Sequence, residues 1–321
     1  METKSLPRQA VATIELSRPD WRDYLGLCKM RVVAVMLLTL VVGMFLASPG
    51  LPSLLLIFWS CLGVGLAASS AAAINHVLDQ HIDARMRRTA GRPLPQGRLT
   101  QQQAATFALI AGMLGIGILF WQVNSITAWL TLASLIGYAF FYTAILKRET
   151  PQNIVIGGVA GAAPPLLGWV AVTGSVQAEG ILLMLIIFAW TPPHFWALCL
   201  ARKDDYARAG VPMLPVTHGD AYTRLQILLY TLLTVLLTML PYYSSMSGLV
   251  YLVAMSWLNF RFVWLAWRLF RRPSDADPMK LFRFSISYIM WLFVWLLVDH
   301  FLFLSFGYAI YLPTSLVALS G

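Results

Sequence analysis

The sequence has 321 residues, 59% of them hydrophobic and only 12% charged, with a mean hydropathy of +0.70. A water-soluble domain carries about a quarter charged residues, so that class is excluded. The net charge of +9 sits in separated clusters, at 1–31, 85–98, 147–148, 202–224 and 261–283, which argues for a membrane protein's basic face and against a nucleic-acid surface.

Nine apolar runs are long enough to span a bilayer: 32–48, 51–74, 104–121, 126–146, 154–173, 180–200, 222–241, 248–268 and 286–310. The expected fold is all-α, a polytopic bundle of nine transmembrane helices in the lipid bilayer. Lys and Arg are missing near 48–53, 121–126, 173–180, 241–248 and after 310, and this set alternates with the basic one. The positive-inside rule then puts the N-terminus and the loops after spans 2, 4, 6 and 8 in the cytoplasm, with the C-terminus outside an inner membrane. The expected division is a cytoplasmic segment 1–31, a membrane domain 32–310 and a short extracytoplasmic tail 311–321. Residues 1–31 are polar and basic, unlike a cleaved signal peptide, and Arg22, Lys29 and Arg31 read as topology anchors. Cys28, Cys61 and Cys199 are scattered, which suits neither a disulfide framework nor a zinc site.

Spans 1 and 2 form a tight hairpin around Ser48-Pro49-Gly50. Span 2 is rich in Gly, Ala and Ser, residues that let membrane helices approach closely. Its end carries Asn75, Asp79 and Asp83 at successive four-residue intervals, which places them on one helix face. Arg85, Arg87, Arg88 and Arg92 follow, then Pro93 as a helix stop. Carboxylates for a hard cation beside arginines for the anion it bridges suggest a Mg²⁺–diphosphate site. The plain alternative is a solvated helix end.

Spans 3 and 4 look like ordinary membrane helices. Lys147 and Arg148 follow span 4 at the same depth as the acids, as site residues or as topology anchors. Span 5 concentrates Gly157, Gly158, Gly161, Pro164, Pro165 and Gly168, predicting close packing, a kink at the proline pair and a cavity wall. Span 6 ends in a second unusual stretch: His194-Phe195-Trp196, then Arg202-Lys203-Asp204-Asp205, then Gly210 and a P-M-L-P run. The echo of the first stretch hints at an internal repeat with two facing acidic clusters. His194 lies within lipid depth, as a hydrogen-bonded core residue or as a haem-iron ligand. Arg261 in span 8 must snorkel or face the interior, and Asp299 and His300 in span 9 are intramembrane functional candidates.

Three stretches together carry a family resemblance: N-x-x-x-D-x-x-x-D-x-x-M-x-R-T-x-x-R-P-L (75–94), Y-T-x-x-L-K-R-x-T-x-x-N-x-x-I-G-G-x-A-G-A-x-P-P-L-x-G-W (142–169) and H-F-W-x-L-x-L-x-R-x-x-D-Y-x-x-A-G-x-P-M-L-P-V (194–216). The chain resembles the protohaem IX farnesyltransferases, or haem O synthases, of the intramembrane aromatic prenyltransferase superfamily. The first stretch is superfamily-wide, and the other two are specific to the haem-modifying branch.

The resemblance implies a nine-helix bundle with a central cavity open to the cytoplasmic side. It implies transfer of a farnesyl group from farnesyl diphosphate to a vinyl group of haem B, with addition of water, giving haem O and diphosphate. Haem A synthase or a terminal oxidase would be a partner. By the same analogy Asn75, Asp79 and Asp83 hold one Mg²⁺, and Asp204 and Asp205 serve a second. Arg88, Arg92, Lys147, Arg148 and Arg202 would contact diphosphate, with Asn153 and His194 among the substrate-binding residues. Asp79, Asp83, Lys147 and Asp205 are the expected catalytic set. Tyr142, Trp169 and Trp196 serve as packing, or as cation–π partners of an allylic cation. The superfamily's second acidic motif is usually D-x-x-x-D, whereas Asp204 and Asp205 are adjacent and point about 100° apart on a helix. The competing readings are prenylation of a quinone precursor, a secondary transporter and a non-catalytic oxidase assembly factor.

Overall fold

The computed structural model describes residues 20–86, 89–146 and 149–306. Arg88, Lys147 and Arg148 lie outside the described residues, as do 1–19 and 307–321, which includes the whole expected tail 311–321. All regular elements among the described residues are helices. Nine of them cross the bundle: α1 (Met30–Ala47), α2 (Leu54–Leu78), α3 (Gln101–Gln122), α4 (Ser125–Ile136), α5 (Asn153–Thr173), α6 (Ala178–Ala201), α7 (Gly219–Tyr243), α8 (Leu249–Arg271) and α9 (Asp277–Phe306). Eight are long and apolar enough to span a bilayer, and α4 gains comparable length from the π-helical stretch Gly137–Leu146 that continues it. The protein is an integral membrane protein, and α1 to α9 correspond in order to the nine expected spans.

One boundary differs substantially. α9 begins at Asp277, earlier than the apolar run suggests, because Lys280 and Arg283 occupy its first turns. Both are exposed, and long basic side chains at a helix end keep their heads in the interface. Asp277 pairs with Arg268 at 3.5 Å and with Lys280 at 3.6 Å, where a carboxylate complements the helix dipole.

Small residues set the packing, because lipid supplies no hydrophobic drive between helices. A Cβ at Gly43 would collide with the carbonyl of Pro165, and one at Gly168 with that of Leu40, so α1 and the second half of α5 touch backbone to backbone. Gly63 and Gly115 do the same for α2 and α3, where Ser70 Oγ also donates to the Ala108 carbonyl at 2.7 Å. α5 is interrupted at Ala163, with Pro164 opening its second segment, at the expected proline pair. It is the most buried span. Asn124 caps α4 by accepting from Thr127 N at 2.8 Å, and its amide donates to the Val170 carbonyl at 3.0 Å. On the other side, Tyr288 Oη donates to Asn259 Oδ1 at 2.6 Å and Tyr251 Oη to the Thr238 carbonyl at 2.9 Å, stitching α7, α8 and α9.

The alternation of spans brings the connections α2–α3, α4–α5, α6–α7 and α8–α9 to one rim of the bundle. Two of these begin alike. α2 breaks at Asp79 and runs on as the short helix Gln80–Arg85, and α6 breaks at Arg202 and runs on as Lys203–Arg208.

Candidate active site

The acidic strip of α2 is built as its spacing predicts. Although the helix breaks at Asp79, the i to i−4 bonds persist: Asp79 N donates to the Asn75 carbonyl at 3.0 Å and Asp83 N to that of Asp79 at 2.8 Å. The three side chains therefore stay in line. Asn75, Asp79 and Asp83 are 4%, 1% and 3% exposed, which removes the reading of a solvated helix end. Two buried carboxylates at the C-terminal end of a long helix meet the negative end of its dipole and need cations nearby.

Those cations come from both sides of the strip. The loop after Met86 folds back so that Arg92 Nη1 pairs with Asp83 Oδ2 at 2.6 Å. Thr89 Oγ1 donates to the Asp83 carbonyl at 2.9 Å and holds the loop in place. Lys29, read from the sequence as a topology anchor, reaches into the strip and donates from Nζ to Asn75 Oδ1 at 2.6 Å. The Asn75 amide then donates to Asp79 Oδ2 at 2.8 Å and to Thr143 Oγ1 at 3.3 Å. The sequence marks Lys29 only as an anchor, and Thr143 only as one position of the second family stretch. A basic residue at the membrane rim and a threonine in an apolar span are too common to signal a site.

The π-helical stretch supplies the next wall. Tyr138 and Tyr142 stack with centroids 5.2 Å apart, one wide π-turn separating them. π-helical turns concentrate at functional sites because they re-aim side chains that an α-helix would place elsewhere. The Tyr142 ring lies against Gly157, where a Cβ would overlap it. Thr143, the next residue, accepts from the Asn75 amide, so this stretch adjoins the acidic strip. Asn153 opens α5 at the same rim. It is fully buried, and its amide donates to the Thr150 carbonyl at 2.8 Å, while its Oδ1 has no donor among the described residues.

The second stretch separates its two acids. Asp204 is exposed, whereas Asp205 is largely buried between Arg202 at 3.8 Å and Arg208 at 2.5 Å. Lys203 turns away to Asp220 at 2.8 Å. Among the described residues no three His, Cys, Asp or Glu side chains converge on one point. The oxygen set is thus one or two carboxylates per ledge plus amide oxygens. That suits Mg²⁺, which prefers few protein carboxylates and completes its shell with water and phosphate oxygens.

His194 lies in α6, stacked between Trp190 at 4.4 Å and Phe282 at 4.6 Å. Ser285 Oγ donates its single proton to the Phe282 carbonyl at 2.7 Å, so at the 2.7 Å contact with His194 it accepts from Nδ1–H. The network assigns the tautomer and leaves Nε2 with a lone pair, the form in which imidazole binds metals.

Other sequence candidates stand apart. Asp299 is a helix cap: its carboxylate accepts from the backbone N–H of Gly248 and, at 3.2 Å, from that of Tyr251, at the start of α8. That start lies at the opposite rim from the acids, and with α9 beginning at Asp277, Asp299 is near the far end of its helix, not in mid-membrane. His300 accompanies it there. Arg261 is exposed, with its guanidinium 5.4 Å from the Phe284 ring centroid. Trp169 donates to Gln177 at 2.8 Å near the opposite rim, and Trp196 is fully buried edge-on to Tyr230, so both pack.

The model of the UbiA prenyltransferase family matches residues 36–297. A protoheme IX farnesyltransferase of Hahella chejuensis is 60% identical over 88% of this chain and 94% of its own. Among solved structures, one of a digeranylgeranylglyceryl phosphate synthase superposes with a TM-score of 0.75 at 20% identity, covering 87% of this chain and 98% of that one. A UbiA homolog from Archaeoglobus fulgidus, bound to DMAPP and Mg²⁺, superposes with a TM-score of 0.59 at 16% identity, over 86% and 99%. A family match over most of the chain, on a bundle whose acids line one rim, leaves a single assignment: the chain belongs to the UbiA prenyltransferase family.

Proposed function

We propose that this protein transfers the farnesyl group of farnesyl diphosphate to a vinyl group of haem B, with addition of water, giving haem O and diphosphate. The 60% identity to a protoheme IX farnesyltransferase over nearly the whole chain supports the substrate pair. The observation that carries the chemistry is the buried ledge Asn75–Asp79–Asp83, clasped by Arg92 and Lys29.

Asn75, Asp79 and Asp83 are the residues that would hold a divalent ion on α2, and Asp205, rather than the exposed Asp204, is the acid that would serve a second. When bound, such an ion neutralises the charge developing on the departing diphosphate. Arg92 and Arg202 sit on these acids and donate to phosphate oxygens as the leaving group's charge grows. Arg88, Lys147 and Arg148 complete the proposed donor set, and the buried Asn153 Oδ1 orients a donor of the bound substrate. The haem vinyl group is the nucleophile: its π electrons form the new C–C bond to C1 of the farnesyl cation. Water adds to the resulting cation on the former vinyl group and loses a proton, so no side-chain nucleophile is required. His194, with Nε2 left basic by its bond to Ser285, ligates the haem iron and fixes which vinyl group faces the site.

The basic loops put the acidic rim in the cytoplasm and the C-terminus outside the inner membrane. Haem A synthase or a terminal oxidase receives the product. Mass analysis of haem extracted from membranes given farnesyl diphosphate and Mg²⁺ tests the reading. A gain of one farnesyl and one hydroxyl group is expected, lost with chelator. A prenylated 4-hydroxybenzoate, with haem B unmodified, would overturn it.

A further inference from the structure

We propose that Lys29 is a diphosphate-binding residue held on Asn75, and that a divalent ion taking the Asn75 carbonyl oxygen releases it toward the leaving group. The inference rests on the function proposed above and adds a residue to the same site.

The backbone at Lys29 is the first observation. It lies between the short helix Trp21–Leu27 and α1 in the left-handed region, at φ 49 and ψ 48. A residue with a Cβ seldom adopts that conformation, and where one does, the surrounding structure holds it there, often at a functional site. Here it breaks the chain at the membrane rim next to Cys28, so that a lysine in the N-terminal segment faces α2.

The hydrogen bonds are the second. A carboxylate only accepts, so the bond to Asp79 Oδ2 fixes the Asn75 amide with its nitrogen toward Asp79. Its carbonyl oxygen is then the atom that Lys29 Nζ contacts at 2.6 Å. That same oxygen is the one Asn75 would offer a hard cation. An ammonium and a divalent ion on one carbonyl oxygen stand within about 4 Å of each other and repel strongly in a buried site. The two contacts therefore exclude one another. Once displaced, the ammonium stays tethered at the rim, beside the phosphate oxygens that the ion attracts. Lysine suits this task because its compact charge rides on a flexible stem with three donors.

The two binding events should thus respond oppositely to loss of the amine. The test uses the full chain in detergent, with Mn²⁺ counted by electron paramagnetic resonance and inorganic pyrophosphate titrated calorimetrically at saturating Mn²⁺. Lys29→Met should tighten Mn²⁺ alone by about threefold or more, because a competitor has gone. It should weaken pyrophosphate by about tenfold or more, the worth of a hydrogen bond to a charged group. Lys29→Arg should hold pyrophosphate within about threefold of the parent. In an Asn75→Ala background the Mn²⁺ effect of Lys29→Met should vanish. If Lys29→Met weakens both ligands, or neither moves, Lys29 is a structural or topological residue and the proposal falls. If Lys29→Met does not fold, Lys29→Arg decides: a tenfold loss of pyrophosphate with unchanged Mn²⁺ binding and melting temperature would also overturn it. A parent protein that binds neither ligand removes the function reading itself, and this inference with it.

Discussion

Asp299 offers the sharpest separation between a structural and a catalytic carboxylate. Its two oxygens accept from the N–H of Gly248, the N-cap residue of α8, and from that of Tyr251 in the first turn, and the residue is 8% exposed. Truncation to alanine leaves both donors without an acceptor where water reaches poorly. A buried donor left unsatisfied costs about 1–3 kcal/mol, and losing an ordinary cap costs about 0.5–2 kcal/mol. Partial hydration of the loop keeps the sum below two full penalties, so Asp299→Ala should destabilise by about 2–4 kcal/mol. In a chain of this size that lowers the melting temperature by about 3–6 °C. Asp299→Asn keeps one acceptor oxygen and should lose about half as much. Thermal unfolding in detergent, followed by near-ultraviolet circular dichroism, reads the change. Farnesyl transfer well below the transition should stay within about threefold of the parent, because the carboxylate lies at the rim opposite the acids. An Asp299→Asn protein of parental stability that no longer turns over would refute the cap assignment and return Asp299 to the chemistry.

Arg92→Gln leaves the buried Asp83 carboxylate without its cation. Breaking a buried pair costs about 3–5 kcal/mol, reduced here to about 1–3 kcal/mol because Arg92 is 27% exposed, and farnesyl transfer should fall at least about tenfold in the product assay. His194→Ala should abolish the Soret shift on titration with haem B while the melting temperature holds. Ser285→Ala, which frees the ring's tautomer, should weaken haem binding by about tenfold. Gly168→Ala drives a Cβ into the Leu40 carbonyl, a backbone atom that cannot turn aside, and should cost about 1–3 kcal/mol in unfolding. Gly161→Ala in the same helix meets open space and should be nearly silent.

How far the acidic site could be read in advance depends on the range of each contact. Asn75, Asp79 and Asp83 are visible because helix periodicity is local, and the i to i−4 bonds that align them survive the break at Asp79. The proline pair at Pro164 and the small residues of α2 announce close packing for the same local reason. The early start of α9 was hidden because Lys280 and Arg283 resemble a loop until their side chains are seen in the interface. Adjacent Asp204 and Asp205 look equivalent in one dimension, and only the fold turns one outward and the other between two arginines.

The order of apolar and basic segments is sufficient to determine an all-helical membrane bundle of nine spans and the rim at which its acids gather. Partnership is another matter. Lys29 meets Asn75 across 46 positions, Thr143 meets it across 68, Asp299 reaches Gly248 across 51, and His194 finds Ser285 across 91. Between helices in lipid, burial of apolar surface favours no neighbour over another. Which spans touch, and which polar atoms then face each other, is decided by the fit of glycine against backbone and by the need of each buried donor and acceptor to be answered.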